Sequence, residues 1–265
     1  MVEIEDVRNY WDDNPLSSAA IPYALHTPEY FEFYDTLREL NESVEFSYRL
    51  HEYGAFAGKK VLDVGSGNGY VLSRYAREGA DVYGVDLTPT AVELCRRRFE
   101  LMNLDGTFTV ASAEALPFAD ETFDCVCSMG VVHHTPDTEK ALDEIYRVLK
   151  PGGRLVLMVY HRNSVLYQVN FRLQRLLTRK TMQQLVNEVD GVGNPKGDVY
   201  SRAEFTRVLH RFEDLDLFVR LVQGWMLAPR FTRRIPNRWL RPLERRWGWF
   251  LYAKGRKPAL PEPAG

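Results

Sequence analysis

Residues 61–69 read VLDVGSGNG, an apolar run that ends on Asp63 and turns through Gly65, Gly67 and Gly69. A run of this kind is a strand that passes through a glycine turn into a helix. Glycine takes backbone angles barred to other residues and lets a ligand approach with no Cβ in the way. A nucleotide-type ligand is therefore its default occupant, with a plain tight turn as the alternative. A dinucleotide fingerprint has glycine at its first, third and sixth positions. Here the sixth position is Tyr70, and the third glycine, Gly69, falls one residue early.

The residues that follow extend the pattern. GYVLSRYAREG sets Val71, Leu72, Tyr75 and Ala76 on one helical face and closes on Gly79, and ADVYGVD reads as a second strand ending on Asp86. Asp86 stands 21 positions after Gly65, the distance at which a strand–helix–strand unit sets a carboxylate beside ribose hydroxyls. An N-cap for the helix over 89–102 is its other reading. From 58 to 160 strands alternate with helices: KKVLDV, ADVYGVD, GTFTVAS, FDCVCSM and GRLVLMVY are separated by helical stretches near 70–78, 89–102 and 138–149. Alternation of this kind predicts an α/β fold, a mostly parallel sheet with helices on both faces.

Around this core, residues 1–57 are aromatic and acidic, with helical runs near 28–42 and 43–53, and are expected to cover the ligand site. Residues 161–212 break the rhythm with helices near 163–177, 179–189 and 202–210 joined by DGVGNPKGD. They follow a strand end, where an α/β sheet binds its ligand, and read as a helical substrate cap. DLDLFVRLV and WGWFLYAKG read as closing strands, so the core resumes over 213–257, and residues 258–265 read as a disordered tail.

A chain of 265 residues, 45% hydrophobic, can bury a substantial core, and its net charge of -2 gives no overall drive toward nucleic acid. Three cysteines outside a secretory context argue against a disulfide scaffold. Cys125 and Cys127 share one side of a strand without a second ligand pair, so they read as buried apolar groups and no metal is expected. No apolar stretch is long enough for a membrane span, and MVEIEDVRNYW lacks the marks of a secretory leader, which together point to a cytoplasmic protein.

On VLDVGSGNG, the strand ending at Asp86, ASAEALPF at 111–118, FDCVCSMGVVHHTPD at 123–137 and ALDEIYRVLKPGGRLVL at 141–157, the chain resembles the class I S-adenosylmethionine-dependent methyltransferases. Within them it is similar to the small-molecule type that includes the ubiquinone and menaquinone C-methyltransferases. The resemblance implies a Rossmann-like, seven-stranded, mostly parallel sheet with an antiparallel last strand, and S-adenosyl-L-methionine as cofactor. It implies that Asp63 and the backbone of Gly65 and Gly67, in the turn closed by Gly69, hold the methionine end. It also implies that Asp86 takes the ribose hydroxyls and that Leu87 lies on the adenine. Where the family commonly has Asp-Ala-Glu, this chain has Ser112, Ala113 and Glu114, with the Ser112 hydroxyl as the adenine acceptor. Met129 and Gly130 would line the strand end beneath the methyl donor.

Methyl transfer from a sulfonium asks the protein mainly for alignment and exclusion of water, and an acceptor OH, NH or enolisable carbon can also need to lose a proton. His133 and His134 follow the fourth strand, and one of them is the candidate base or substrate hydrogen-bonding group, with a structural histidine as the alternative. Tyr160 and His161 end the fifth strand on the ligand side, and Tyr10, Trp11 and Tyr23 are candidates to close over substrate or sulfonium. Core packing is the competing reading for each aromatic.

Residues 230–257 hold ten Lys or Arg and one acid, Glu244, among Trp239, Trp247 and Trp249. The patch fits an anionic substrate, a peripheral membrane contact or a second subunit. In its simplest reading Trp239, Leu240, Leu243 and Trp247 form the buried face of a helix whose arginines are the wet side. Three alternatives to a small-molecule methyltransferase stand beside it. A nicotinamide oxidoreductase conflicts with Tyr70, and a scaffold that binds the cofactor without turnover would share the sheet motifs. A protein or nucleic-acid methyltransferase is the third, although the segment MGVVHHTPD lacks the NPPY-like run of base-amino methylation.

Overall fold

In the computed structural model of the chain, residues 2–15, 20–227, 232 and 234–260 are described. The expected tail from 261 onward, and Arg230 and Arg233 of the basic stretch, lie outside them. Three helices come first: α1 (Ile4–Asp13), α2 (Pro28–Asn41) and α3 (Val44–His51). The alternating part runs β1 (Lys60–Val64), α4 (Tyr70–Arg77), β2 (Asp81–Asp86), α5 (Pro89–Met102), β3 (Thr107–Val110), β4 (Phe123–Met129), α6 (Thr138–Val148) and β5 (Leu149–His161). There follow α7 (Arg172–Leu177), α8 (Met182–Asn187), β6 (Val199–Tyr200), α9 (Arg202–Val208), β7 (Glu213–Arg220), α10 (Asn237–Trp247) and β8 (Phe250–Arg256).

The strands form one eight-stranded sheet in the order β3-β2-β1-β4-β5-β8-β7, and the two-residue β6 pairs with β5 off that path. Every pairing is parallel except those of β8, which runs antiparallel to both β5 and β7. The sheet is thus Rossmann-like and mixed, with β6 as one strand more than the seven expected. Alternate residues of β1 and β4 go to opposite faces, as the pleat requires. Val61, Cys125 and Cys127 join the layer containing Tyr34, Leu50, Leu72 and Phe99. Leu62, Val64 and Val126 join the layer containing Leu142, Ile145, Phe205 and Leu209.

Local chemistry sets most helix starts. Thr88, Asp137 and Thr181 accept from the backbone N–H groups of Ala91, Lys140 and Gln184, and Ser201 accepts from Glu204. Sequence reading passes over α1, whose start is fixed by a reciprocal Glu3–Asp6 box. Pro151, Gly152 and Gly153 lie inside β5. Leu149 already pairs with Phe123, and the register shifts between Phe123 and Cys125. In α10 only half the expected apolar face packs: Leu240 is buried and Leu243 partly so, while Trp239 and Trp247 are exposed.

Candidate active site

At the C-terminal ends of β1, β2 and β4 lies a cleft of about 970 Å³, its open mouth included. Gly65, Gly67, Asp86, Leu87, Ser112, Ala113, Met129, Gly130 and His134 line it from the core. Ile4, Val7, Trp11 and Pro15 line it from the N-terminal segment. Strand ends at the switch point of an open parallel sheet bring side chains from distant sequence positions together in this way.

Asp86 organises the glycine turn. Its Oδ2 accepts from Gly67 N at 3.0 Å, and its Oδ1 accepts from Thr88 N and Thr88 Oγ1, each at 3.1 Å. Thr88, and not Asp86, is the N-cap of α5. Burial raises the Asp86 carboxyl above its ordinary range, against these hydrogen bonds. Gly65 N donates to Val85 O at 2.8 Å. Both of these N–H groups are thus engaged within the fold. A Cβ on Gly65 would lie 2.2 Å from Val131 Cγ2, so this backbone and the segment after β4 are in close approach.

Below the turn, Asp63 is buried outside the cleft wall, and its Oδ1 has no hydrogen-bond partner. Desolvation pushes its carboxyl up to about 7, opposed by a hydrogen bond from Cys127 and by the Arg38 charge. A buried carboxylate oxygen without a partner is costly. A cation brought to the turn would offset that cost. Arg98 braces the turn from the other side: its Nε donates to Asn68 O at 2.7 Å, and its Nη2 pairs with Asp35 of α2 at 2.8 Å. Tyr70, in place of the third fingerprint glycine, faces α2. Its hydroxyl donates to Glu39 Oε1 at 3.2 Å, and Arg74 lies 4.2 Å over its ring.

The two histidines take different positions on the turn Val132–His134. His134 lines the cleft beside Trp11, ring centroids 5.2 Å apart. Its Nδ1 is 2.7 Å from Lys196 O, and its Nε2 is 3.5 Å from Asp190 Oδ2. A carbonyl only accepts, so Nδ1 carries the hydrogen. His133 lies behind it, fully buried, with neither ring nitrogen partnered, and burial holds its imidazole well below its ordinary range.

Asp190, in the segment DGVGNPKGD, is a residue beside His134 that sequence reading passes over. Tyr160 Oη donates to its Oδ1 at 2.5 Å, and Tyr10 Oη donates to its carbonyl at 3.1 Å. Tyr10 and Tyr160 therefore hold the cap segment behind His134 and do not line the cleft. Burial raises the Asp190 carboxyl, against His134 and Tyr160. Tyr23 is exposed on Phe33, away from the cleft. His161 donates from Nδ1 to Gly248 O at 2.9 Å and lines a separate hollow with Arg202 and Arg245. Gly69 starts α4 against Cys95, and Glu114 accepts from Asp137 N at 2.8 Å, so neither lines the wall.

Residues 62–157 match the family described as Methyltransferase domain. Over 106 residues the chain is 41% identical to the demethylmenaquinone methyltransferase of Thermus thermophilus, covering 39% of this chain and 48% of that protein. It is 36% identical over 114 residues to the ubiquinone/menaquinone biosynthesis C-methyltransferase of Klebsiella pneumoniae, covering 41% and 45%. With the ubiquinone biosynthesis O-methyltransferase of Alkalilimnicola ehrlichii it shares 32% over 132 residues, covering 49% and 53%. The chain thus spans about half the length of the curated relatives it matches. Among solved structures, the geranyl diphosphate C-methyltransferase of Streptomyces coelicolor superimposes with TM-score 0.61 at 17% identity, covering 97% of each chain. Residues 62–157 of the chain are thus similar to a methyltransferase domain, and they run from β1 into β5 of the Rossmann-like sheet described above.

Proposed function

We propose that the chain is an S-adenosylmethionine-dependent methyltransferase that acts on a small-molecule acceptor. The observation that carries this reading is the coincidence of the methyltransferase match with the core wall of the cleft: Gly65, Gly67, Asp86, Ser112, Met129 and His134 all fall within residues 62–157. The residues fit the cofactor. Asp86 has carboxylate lone pairs at the wall for ribose hydroxyls, Leu87 and Ser112 border the space for the adenine, and the unpartnered Asp63 Oδ1 below the turn suits the ammonium. The cofactor, when bound, supplies an activated methyl carbon on a sulfonium.

The chain's own part is alignment, dehydration and removal of a proton. Ile4, Val7 and Trp11 give the cleft an apolar roof that excludes water. His134 lines the cleft, and with Nδ1 bound to Lys196 O it keeps its Nε2 lone pair free, 3.5 Å from Asp190 Oδ2. With Asp190 ionised, two acceptors face each other across 3.5 Å, and a proton lost by the acceptor molecule has its place between them. Asp190 then stabilises the imidazolium, held in position by Tyr160.

The relatives named above include carbon and oxygen methyltransferases of quinone biosynthesis, so demethylated quinols are the first acceptors to try. Incubation with methyl-labelled cofactor and such quinols, with products identified by mass spectrometry, tests the reading. A labelled small product supports it. Label transferred only to protein or nucleic acid of an added extract, or to nothing, overturns it.

A further inference from the structure

No residue of α7 is buried, although three of its six residues are leucine. Leu176 is 82% exposed, Leu177 77% and Leu173 44%, and Val169, in the π-helical turn just before, is 49% exposed. Spacings of three and four set Leu173, Leu176 and Leu177 on one side of the helix. So short a helix is not stable by itself. It is carried by the preceding turn, where Leu166, Tyr167 and Phe171 enter the core. Trp225, partly exposed, continues the apolar surface. Its carbonyl accepts from Asn170 Nδ2 at 3.3 Å.

Charge identifies what covers this surface. Between Asn163 and Asn187 the chain has Arg172, Arg175, Arg179 and Lys180 and no acidic residue. Lys180 pairs with Glu188. The three arginines are exposed and, among the described residues, have no carboxylate partner. In a chain of net charge -2 this is a local concentration of cations around unpacked leucines. A second copy docked on the same patch would oppose arginine to arginine. An anionic bilayer satisfies both components, because the acyl boundary takes the leucines and the headgroups pair with the guanidinium groups.

We propose that Val169–Lys180 is a docking surface for an anionic lipid membrane. The same insertion continues to Asp190 and Lys196 at His134, so one cap carries the membrane contact and part of the reaction site. The proposal does not depend on what the cleft methylates.

Flotation of the full chain with vesicles of phosphatidylcholine, alone or mixed with phosphatidylglycerol, tests it. The chain is expected to float with the mixed vesicles and to be released by salt. The exposed pairs Leu176→Asp with Leu177→Asp, and Arg172→Glu with Arg175→Glu, should each lower partitioning roughly tenfold or more, with unchanged thermal unfolding. Failure of the chain to bind the mixed vesicles, or full binding by the leucine variant, overturns the proposal. So does a dimer in light scattering that the leucine variant abolishes while no vesicle binding is seen, which would assign the surface to a second copy.

Discussion

Asp86 Oδ2 accepts from Gly67 N at 3.0 Å, so the carboxylate ending β2 holds the glycine turn after β1. One side chain thereby shapes the turn and contributes to the cleft wall. Asp86→Ala should weaken cofactor binding by about 1–3 kcal/mol, the scale for loss of a charged hydrogen-bond partner. Equal calorimetric affinity in the variant would remove Asp86 from the binding account.

Gly65 and Gly67 both have left-handed backbone, at φ +80 and +53, but different surroundings. Nothing lies within 4 Å of a Cβ on Gly67, whereas one on Gly65 meets Val131. Gly67→Ala should cost about 1–2 kcal/mol from conformation alone. Gly65→Ala should cost about 1–3 kcal/mol more, because the stiff Val131 side chain is overpacked. Denaturant unfolding checks the order. In the Gly65→Ala background, Val131→Ala should recover only part, since a Val131 Cβ remains 2.8 Å away.

Asp63 gives a pH-dependent prediction. Its folded carboxyl is raised to about 7 from 3.8. The native state therefore holds the proton more tightly than the unfolded chain, and stability falls as pH rises through that window. Asp63→Asn should be neutral below about pH 4 and stabilise the apoprotein above pH 7 by up to about 4 kcal/mol, at 1.36 kcal/mol per unit. The same variant should bind the cofactor more weakly. Thermal unfolding at several pH values, with and without cofactor, checks both signs.

The histidines are expected to behave differently. His134→Gln should lower the single-turnover rate by about 10²–10⁴ if His134 takes the proton, with cofactor affinity nearly intact, whereas His133→Gln should change the rate far less. His133, held well below its ordinary range, should stay neutral by NMR while the fold persists. A folded imidazole that refuses a proton the unfolded one accepts costs stability as pH falls below about 6.5. His133→Gln should therefore lessen acid destabilisation in that range.

The strands and the cleft's core wall were legible because their signals are local. Glycine spacing, strand alternation and Asp86 lie within a continuous stretch of chain. The inward face of the His133–His134 pair was not legible, since a three-residue turn set by Lys196 and Asp190 decides it. Asp190 itself stands in a Gly- and Pro-rich segment that reads as flexible, and Tyr10, His134 and Tyr160, far away in sequence, are what tie it down. In α10, helical spacing grouped Trp239 and Trp247 with the leucines, but helical spacing alone does not determine which part of an apolar face meets the sheet.

The most direct test of the cleft as a cofactor site is calorimetric titration of the purified chain with S-adenosylmethionine and S-adenosylhomocysteine. Micromolar binding of both, reduced in Asp86→Ala, is the predicted result. A folded chain that gives neither binding heat nor a melting shift with either compound would contradict the account at its centre.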